Sequence, residues 1–273
     1  MSDTTPSTEF PAGTLMAGKR GLIMGVANDH SIAWGIAKAL HAQCAALAFT
    51  FQGEAFGKRV KPLAQSLGAE LVLPCDVQDA ASMDALFDTL STTWGRLDFV
   101  VHAIAYSDKA ELGGRYVDTT RENFVRSLDI SCFSFTDVAR RAAPLMPAGG
   151  ALLTMTYLGA ERVVPSYNVM GVAKAALEAS VRYLAMDLGQ DQIRVNAISA
   201  GPMRTLAGSA VSGARAMFNW NKKHAPLKHA VDLTDVGGAG LYLLSDLAAR
   251  VTGEVLHVDS GYNILAIPDL ADL

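Results

Sequence analysis

Cysteine is scarce in this chain, and what there is gives no pairing pattern: Cys44, Cys75 and Cys132 are odd in number, widely spaced and set in apolar or strand-like runs. That usage excludes a disulfide scaffold and reads as reduced packing thiols in a cytoplasmic protein. No C-x-x-C or H-E-x-x-H occurs and the six histidines are scattered, so no catalytic metal is expected. Charged residues make up only 18% and balance to a net −4, which leaves no overall basic field for nucleic acid or an anionic membrane surface. No run approaches the ~18 uninterrupted apolar residues of a membrane span. The opening MSDTTPSTEFPAGTLMAGKR carries acids and prolines where a signal peptide would have a basic end and an apolar core. Ser31 and Ser199 lack the G-x-S-x-G setting of a hydrolase nucleophile. Residues 1–15 read as a disordered tail, leaving 16–273 as one domain.

What is present is enough apolar material for one large core: 273 residues, half of them hydrophobic. From Lys19 onward, β-branched or apolar runs alternate with amphipathic stretches. RGLIMGV, CAALAFTF, AELVLPC, LDFVVHAIA, GALLTMTY, IRVNAIS and GEVLHVD read as seven strands. Strands alternating with helices, and apolar on both sides, imply an α/β fold with a doubly wound parallel sheet and helices on both faces. Ligands of such sheets bind at the carboxyl ends of the strands, where the strand order reverses.

The first such end is MGVANDHSIAWGIAKAL. Gly25 closes the strand, Ser31 is placed to cap a helix, and Gly35 allows that helix to pack closely on a strand. Backbone N–H groups at the helix start can bind a pyrophosphate. The spacing departs from G-x-G-x-x-G, so its position in the chain carries more weight than the glycines. The acid expected to hold a ribose after the second strand is replaced by Gln52, and no Arg or Lys occupies 50–54 to meet a 2′-phosphate. This favours NADH over NADPH, with Lys58 and Arg59 falling on the next helix. After the third strand, Asp76 either accepts from an adenine amine, with Val77 against the ring, or caps the following helix.

PSYNVMGVAK sets Tyr167 seven positions before Lys174. Seven residues at 3.6 per turn bring them to nearly the same side of a helix, roughly 10 Å apart along its axis. They cannot touch, but a bound group can bridge them. Such a pair is weak evidence alone. Its surroundings, TYLGAERVVPSYNVMGVAKAALEASVRYLA followed by IRVNAISAGPMRTLA, closely resemble the bacterial enoyl-acyl carrier protein reductases, a divergent branch of the short-chain dehydrogenase/reductases. The likeness runs from Gly18 to about Ile267. In ordinary short-chain dehydrogenases the tyrosine stands four positions before the lysine, where this chain has Met170; the wider spacing is characteristic of enoyl reduction.

The resemblance implies a Rossmann-like domain that passes hydride from NADH to the β-carbon of a trans-2-enoyl thioester, the last step of the type II fatty acid elongation cycle. Tyr167 would hydrogen-bond the thioester oxygen as it gains charge, Lys174 would hold the nicotinamide ribose, and Tyr157 would either line the pocket and assist proton transfer or be an ordinary strand-end aromatic. Cofactor contacts are implied for Gly25, Ser31, Ile32, Gln52, Asp76, Val77, Ala103, Ile104, Ala105, Lys174, Gly201, Pro202, Met203 and Thr205. Ala103 and Ala105 stand where serine and glycine are frequent in the family. Substrate contacts are implied for Ala105, Tyr106, Tyr157, Tyr167, Met170, Leu206 and Ala207.

Residues 206–220, small and glycine-interrupted, suit a flap over an acyl chain, within a segment of about 203–224, or else an ordinary packed helix. Lys222, Lys223 and Lys228 form a basic cluster suited to acidic acyl carrier protein. A homotetramer is the family expectation. The rival readings are a short-chain ketone or alcohol oxidoreductase and a dinucleotide-binding sensor without catalysis.

Overall fold

The computed structural model describes residues 10–206, 208 and 213–267. All seven anticipated strands form: β1 (Arg20–Met24), β2 (Ala46–Phe51), β3 (Leu71–Pro74), β4 (Phe99–His102), β5 (Gly150–Thr156), β6 (Ile193–Ala200) and β7 (Val255–Val258). They make one parallel sheet in the order β3-β2-β1-β4-β5-β6-β7. The order reverses between β1 and β4, which opens a crevice at their carboxyl ends.

Because successive side chains on a strand point to opposite faces, each central strand feeds two cores. On one face Ile23, Phe49, Phe99, Val101 and Leu153 pack under α1 (Ile32–Ala42), α2 (Gly53–Ser66) and α9 (Leu233–Leu244). On the other face Leu22, Met24, Val100 and Leu152 meet α3 (Ala80–Trp94), α6 (Ser134–Ala142) and α7 (Asn168–Leu188). Each fully buried side chain of this size contributes roughly 1.5–3 kcal/mol, so the sheet is held from both sides. The remaining helices, α4 (Lys109–Leu112), α5 (Arg121–Leu128) and α8 (Ala214–His224), lie on the connections that follow β4 and β6. A π-helical turn, Asp129–Phe133, joins α5 to α6.

Two expectations change here. Gly35 does serve close packing, but its partner is a helix rather than a strand: a Cβ there would lie 2.6 Å from the Leu233 carbonyl at the start of α9. Residues 10–15, placed by the sequence reading in a disordered tail, are laid along the end of α1. Gly13 N–H donates to the Ala42 carbonyl at 2.9 Å, Leu15 N–H to the Gln43 side chain, and the Phe10 ring rests against Gly237.

Candidate functional site

The site is built at the carboxyl ends of β1, β4, β5 and β6. At the end of β1, Gly25 has φ +98°, and a Cβ there would sit 2.1 Å from the Ala103 carbonyl at the end of β4. Only glycine lets the two strand ends come this close while the chain turns. Ser31 stands at the N-cap position of α1, but its hydroxyl does not cap the helix. It turns back and accepts from the N–H groups of Ala27 (2.9 Å) and Asn28 (3.1 Å), so it organises the loop. α1 is thus left without a side-chain cap at its N-terminus, which follows the end of β1, the arrangement that suits a pyrophosphate. Ile32 begins the helix, half-buried.

Gln52 and Asp76, at the ends of β2 and β3, are joined: Gln52 Nε2 donates to Asp76 Oδ2 at 3.0 Å. Asp76 also accepts from Gln78 N–H. The capping alternative for Asp76 is corrected, because Asp79 caps α3 by accepting from Ala81 N–H. Val77 is half-buried beside it. The pair thus presents an amide and a carboxylate at the edge of the crevice. Lys58 and Arg59 lie on α2, both exposed.

Tyr157, Tyr167 and Lys174 come together at the end of β5. The two tyrosine rings meet edge to face with centroids 5.0 Å apart. Lys174 is buried and donates to the Met155 carbonyl at 2.8 Å. Burial holds its ammonium down at about 8, and pushes the Tyr157 phenol up to about 12 and the Tyr167 phenol above the usual range. Both phenols are therefore neutral donors at ordinary pH.

The helical geometry expected of the pair is only half realised. α7 begins at Asn168, and Tyr167 precedes it between two left-handed residues, Ser166 (φ 63°) and Asn168 (φ 35°). Asn168 is pinned by its Nδ2, which donates to the carbonyls of Glu111 in α4 and Gly113 just after it. A kink, not a helical rise, sets the direction of the phenol.

Met170 is buried on α7, within 3.8 Å of the Ser131 hydroxyl. Ser131, in the π-helical turn, donates to the Tyr106 carbonyl and accepts from its N–H, which fixes the backbone there. The Ala105 and Tyr106 side chains are exposed at the rim, while Ala103 and Ile104 are half-buried beneath them. Gly201 turns the chain after β6, its N–H bonded to the Val258 carbonyl, and Pro202, Met203 and Thr205 follow, half-buried. Met203 and Thr205 line a cleft of about 270 Å³ with His30, Phe218, Val231 and Leu233. Leu206 is exposed; Ala207 lies outside the described residues.

In α8, Asn221 is buried and borders a small cavity shared with Tyr157, Ser199 and Tyr262, so this helix reaches the tyrosine from the far side. Lys222 and Lys223 are exposed in its last turn, and Lys228 folds back to donate to the Lys223 carbonyl.

Two residues of this site were not picked out from sequence. Glu178 is buried one turn beyond Lys174 and accepts from the Thr156 hydroxyl at 2.6 Å. His102, at the end of β4, is fully buried between Thr154 and Ser134. The available signal was a glutamate at i+4 from the lysine on an otherwise apolar helix face.

The residues fit a nicotinamide dinucleotide: a loop whose glycine cannot carry a Cβ, helix N–H groups beyond it, an amide–carboxylate pair at one end and a buried cation at the other. A family model described as enoyl-(acyl carrier protein) reductase matches residues 25–263. The chain is 65% identical over 259 residues to enoyl-(acyl-carrier-protein) reductase (NADH) 2 of Rhizobium meliloti, covering 95% of this chain and 97% of that one. It is 60% identical to reductase (NADH) 1 of the same organism, covering 96% and 98%. The crystal structure of enoyl-(acyl-carrier-protein) reductase from Anaplasma phagocytophilum in complex with NAD superposes with a TM-score of 0.92. It is 60% identical and covers 96% of this chain and all of that one.

Proposed function

This chain belongs to the enoyl-(acyl carrier protein) reductase family, and from that premise we propose how its own residues carry out the family's reaction. It is an NADH-dependent oxidoreductase that reduces the carbon–carbon double bond of enoyl thioesters of acyl carrier protein in fatty acid biosynthesis. The bound coenzyme supplies the hydride to the β-carbon, and the α-carbon takes its proton from solvent. The loop of Gly25, Ser31 and Ile32 holds the pyrophosphate, and Gln52, Asp76 and Val77 hold the adenosine. Ala103, Ile104 and Ala105, with Gly201, Pro202, Met203 and Thr205, border the nicotinamide half, where Lys174 holds the ribose.

Tyr167 donates a hydrogen bond to the thioester oxygen as that oxygen gains negative charge. The interaction is stronger in the transition state than in the ground state, so it accelerates the step. Because burial keeps the phenol protonated, it acts as a donor and not as a base. Tyr157 lines the same pocket and holds the Tyr167 ring edge-on. Ala105, Tyr106, Met170 and Leu206 enclose the acyl chain, with α8 as the flap over it. The single observation that carries this assignment is the convergence of Lys174 and both tyrosines on the end of β5.

Lys222, Lys223 and Lys228 form the docking patch for the acidic carrier protein. A homotetramer is supported by large apolar side chains left exposed, Phe133 beside α6 and Tyr183 and Met186 on α7. A cytoplasmic location is supported by three unpaired cysteines; no helix among the described residues is long and apolar enough to cross a membrane.

One assay tests the whole assignment. The protein is mixed with NADH and an enoyl thioester such as crotonyl, and the absorbance of the reduced nicotinamide is followed for the parent and for Tyr167→Phe. Consumption by the parent and its loss in the variant is the expected result. Equal rates in both remove Tyr167 from the reaction.

A further inference from the structure

At the carboxyl end of β5, three consecutive residues are each tied to α7 or its entry. Met155 accepts from Lys174 Nζ at 2.8 Å, Thr156 donates from its hydroxyl to Glu178 Oε1 at 2.6 Å, and the Tyr157 ring lies edge-on to Tyr167. The middle tie is the one the reaction described above does not use.

Glu178 is 7% exposed. Burying a carboxyl in a helix–sheet interface is costly unless it is hydrogen-bonded, and an apolar residue would fill the same space without that cost. Burial raises its pKa, and the groups that act on it are Thr156, Glu161 and His257 from neighbouring elements and Arg182 on its own helix. Glu161 and His257 are themselves paired at 2.8 Å. The charge of Glu178 in turn bears on both Tyr167 and Lys174, which marks how close it stands to the reacting groups.

Tyr157 continues the extended backbone beyond the strand, with φ −153° and ψ 151°. In such a backbone the side chain of one residue fixes the direction of the next, because neighbours point to opposite sides. Holding Thr156 against α7 therefore aims Tyr157 into the pocket.

We propose that Glu178 is a positioning residue for the reduction: through its hydrogen bond with Thr156 it clamps the end of β5 to α7 and fixes where the Tyr157 ring enters the substrate pocket. This rests on the reading of Tyr157 as a pocket residue.

The test is a set of steady-state measurements with NADH and an enoyl thioester, each paired with a thermal midpoint. Thr156→Val removes the donor at nearly constant shape and should lower kcat about tenfold while KM for NADH stays within about twofold. Thr156→Ser should recover most of the loss. Glu178→Ala should match Thr156→Val, and the double variant should lose no more than either single one, as residues acting through one contact do.

A drop in thermal midpoint with kcat intact makes the contact purely structural and overturns the proposal. Losses that multiply in the double variant do the same. Tyr157→Ala separates this outcome from failure of the underlying reading. If that variant turns over normally, Tyr157 has no place in the pocket; if it is impaired while Thr156→Val is not, only the role given to Glu178 is wrong.

Discussion

The rings of Tyr157 and Tyr167 meet edge to face at 74°, their centroids 5.0 Å apart. They stand ten positions apart in the chain, and the turn between brings a ring from a strand end and a ring from a helix entry into contact. Edge-to-face contact restrains both rings, and under the assignment proposed above it holds the Tyr167 hydroxyl in place before a thioester arrives.

Replacing Tyr167 with phenylalanine keeps the ring contact and removes only the donor. The expected loss in kcat is ~10²–10³-fold, the size of one lost transition-state hydrogen bond. NADH affinity, measured by fluorescence titration, should be unchanged, because the phenol is assigned to the substrate and not to the coenzyme.

Lys174 should make coenzyme binding pH-dependent near 8. Burial lowers its ammonium from 10.5 to about 8, so the free enzyme loses that charge as pH rises through 8, and the dissociation constant for NADH should increase there. Lys174→Met should bind weakly with no inflection. For stability the sign is opposite: between about 8 and 10.5 the unfolded chain holds more protons than the folded one, so this group's contribution becomes more favourable with rising pH.

Gly25→Ala places a Cβ against the Ala103 carbonyl at 2.1 Å, in a left-handed backbone. Overpacking of this kind costs about 1–3 kcal/mol, and here it must also separate the ends of β1 and β4. The expected outcome is a lower midpoint in chemical denaturation together with weaker NADH binding. Normal binding in a destabilised variant would show that the loop does not contact the coenzyme.

His102 should set part of the acid limit of stability. Ser134 donates its hydroxyl proton to the Ile130 carbonyl, so the imidazole Nε2–H donates to Ser134, 2.8 Å away. Burial, with Lys174 adding repulsion, lowers the imidazole to about 3. Between 6.5 and about 3 the unfolded chain binds the extra proton, so stability falls as pH drops through that window. Denaturation curves of His102→Gln against pH should show a shallower acid limb than the parent.

Charge reversal at Lys222 and Lys223 should raise KM for a carrier-protein thioester while leaving KM for the corresponding coenzyme A thioester unaltered. Salt should weaken the parent's use of the carrier protein in the same direction. Equal KM values for parent and variant with the carrier protein would move the docking patch elsewhere.

The seven strands were legible because parallel strands buried on both faces are near-continuous apolar runs, as LIM, ALAF and ALLTM are. Gln52 and Asp76 were legible one by one, as residues that follow strands; their pairing was not, because only the topology brings those strand ends side by side. The kink at Tyr167 was not, because periodicity assumes that a helix begins where its pattern begins, and Ser166 and Asn168 take left-handed angles that nothing in PSYN demands. Glu178 escaped because local pattern treats a glutamate in a helix as solvated; only the distant Thr156 makes its burial tolerable. The same limit hid the partner of Gly35, which lies nearly two hundred residues further along the chain.

The left-handed pair around Tyr167 has one more effect. A phenol carried on regular helix could change its reach only in whole steps of the helical repeat, whereas the aim of this one is set by the torsions of Ser166 and Asn168, outside that repeat. The hydroxyl's aim is thus separable from the lysine's seat: substitutions at Ser166 or Asn168 can redirect one without disturbing the other.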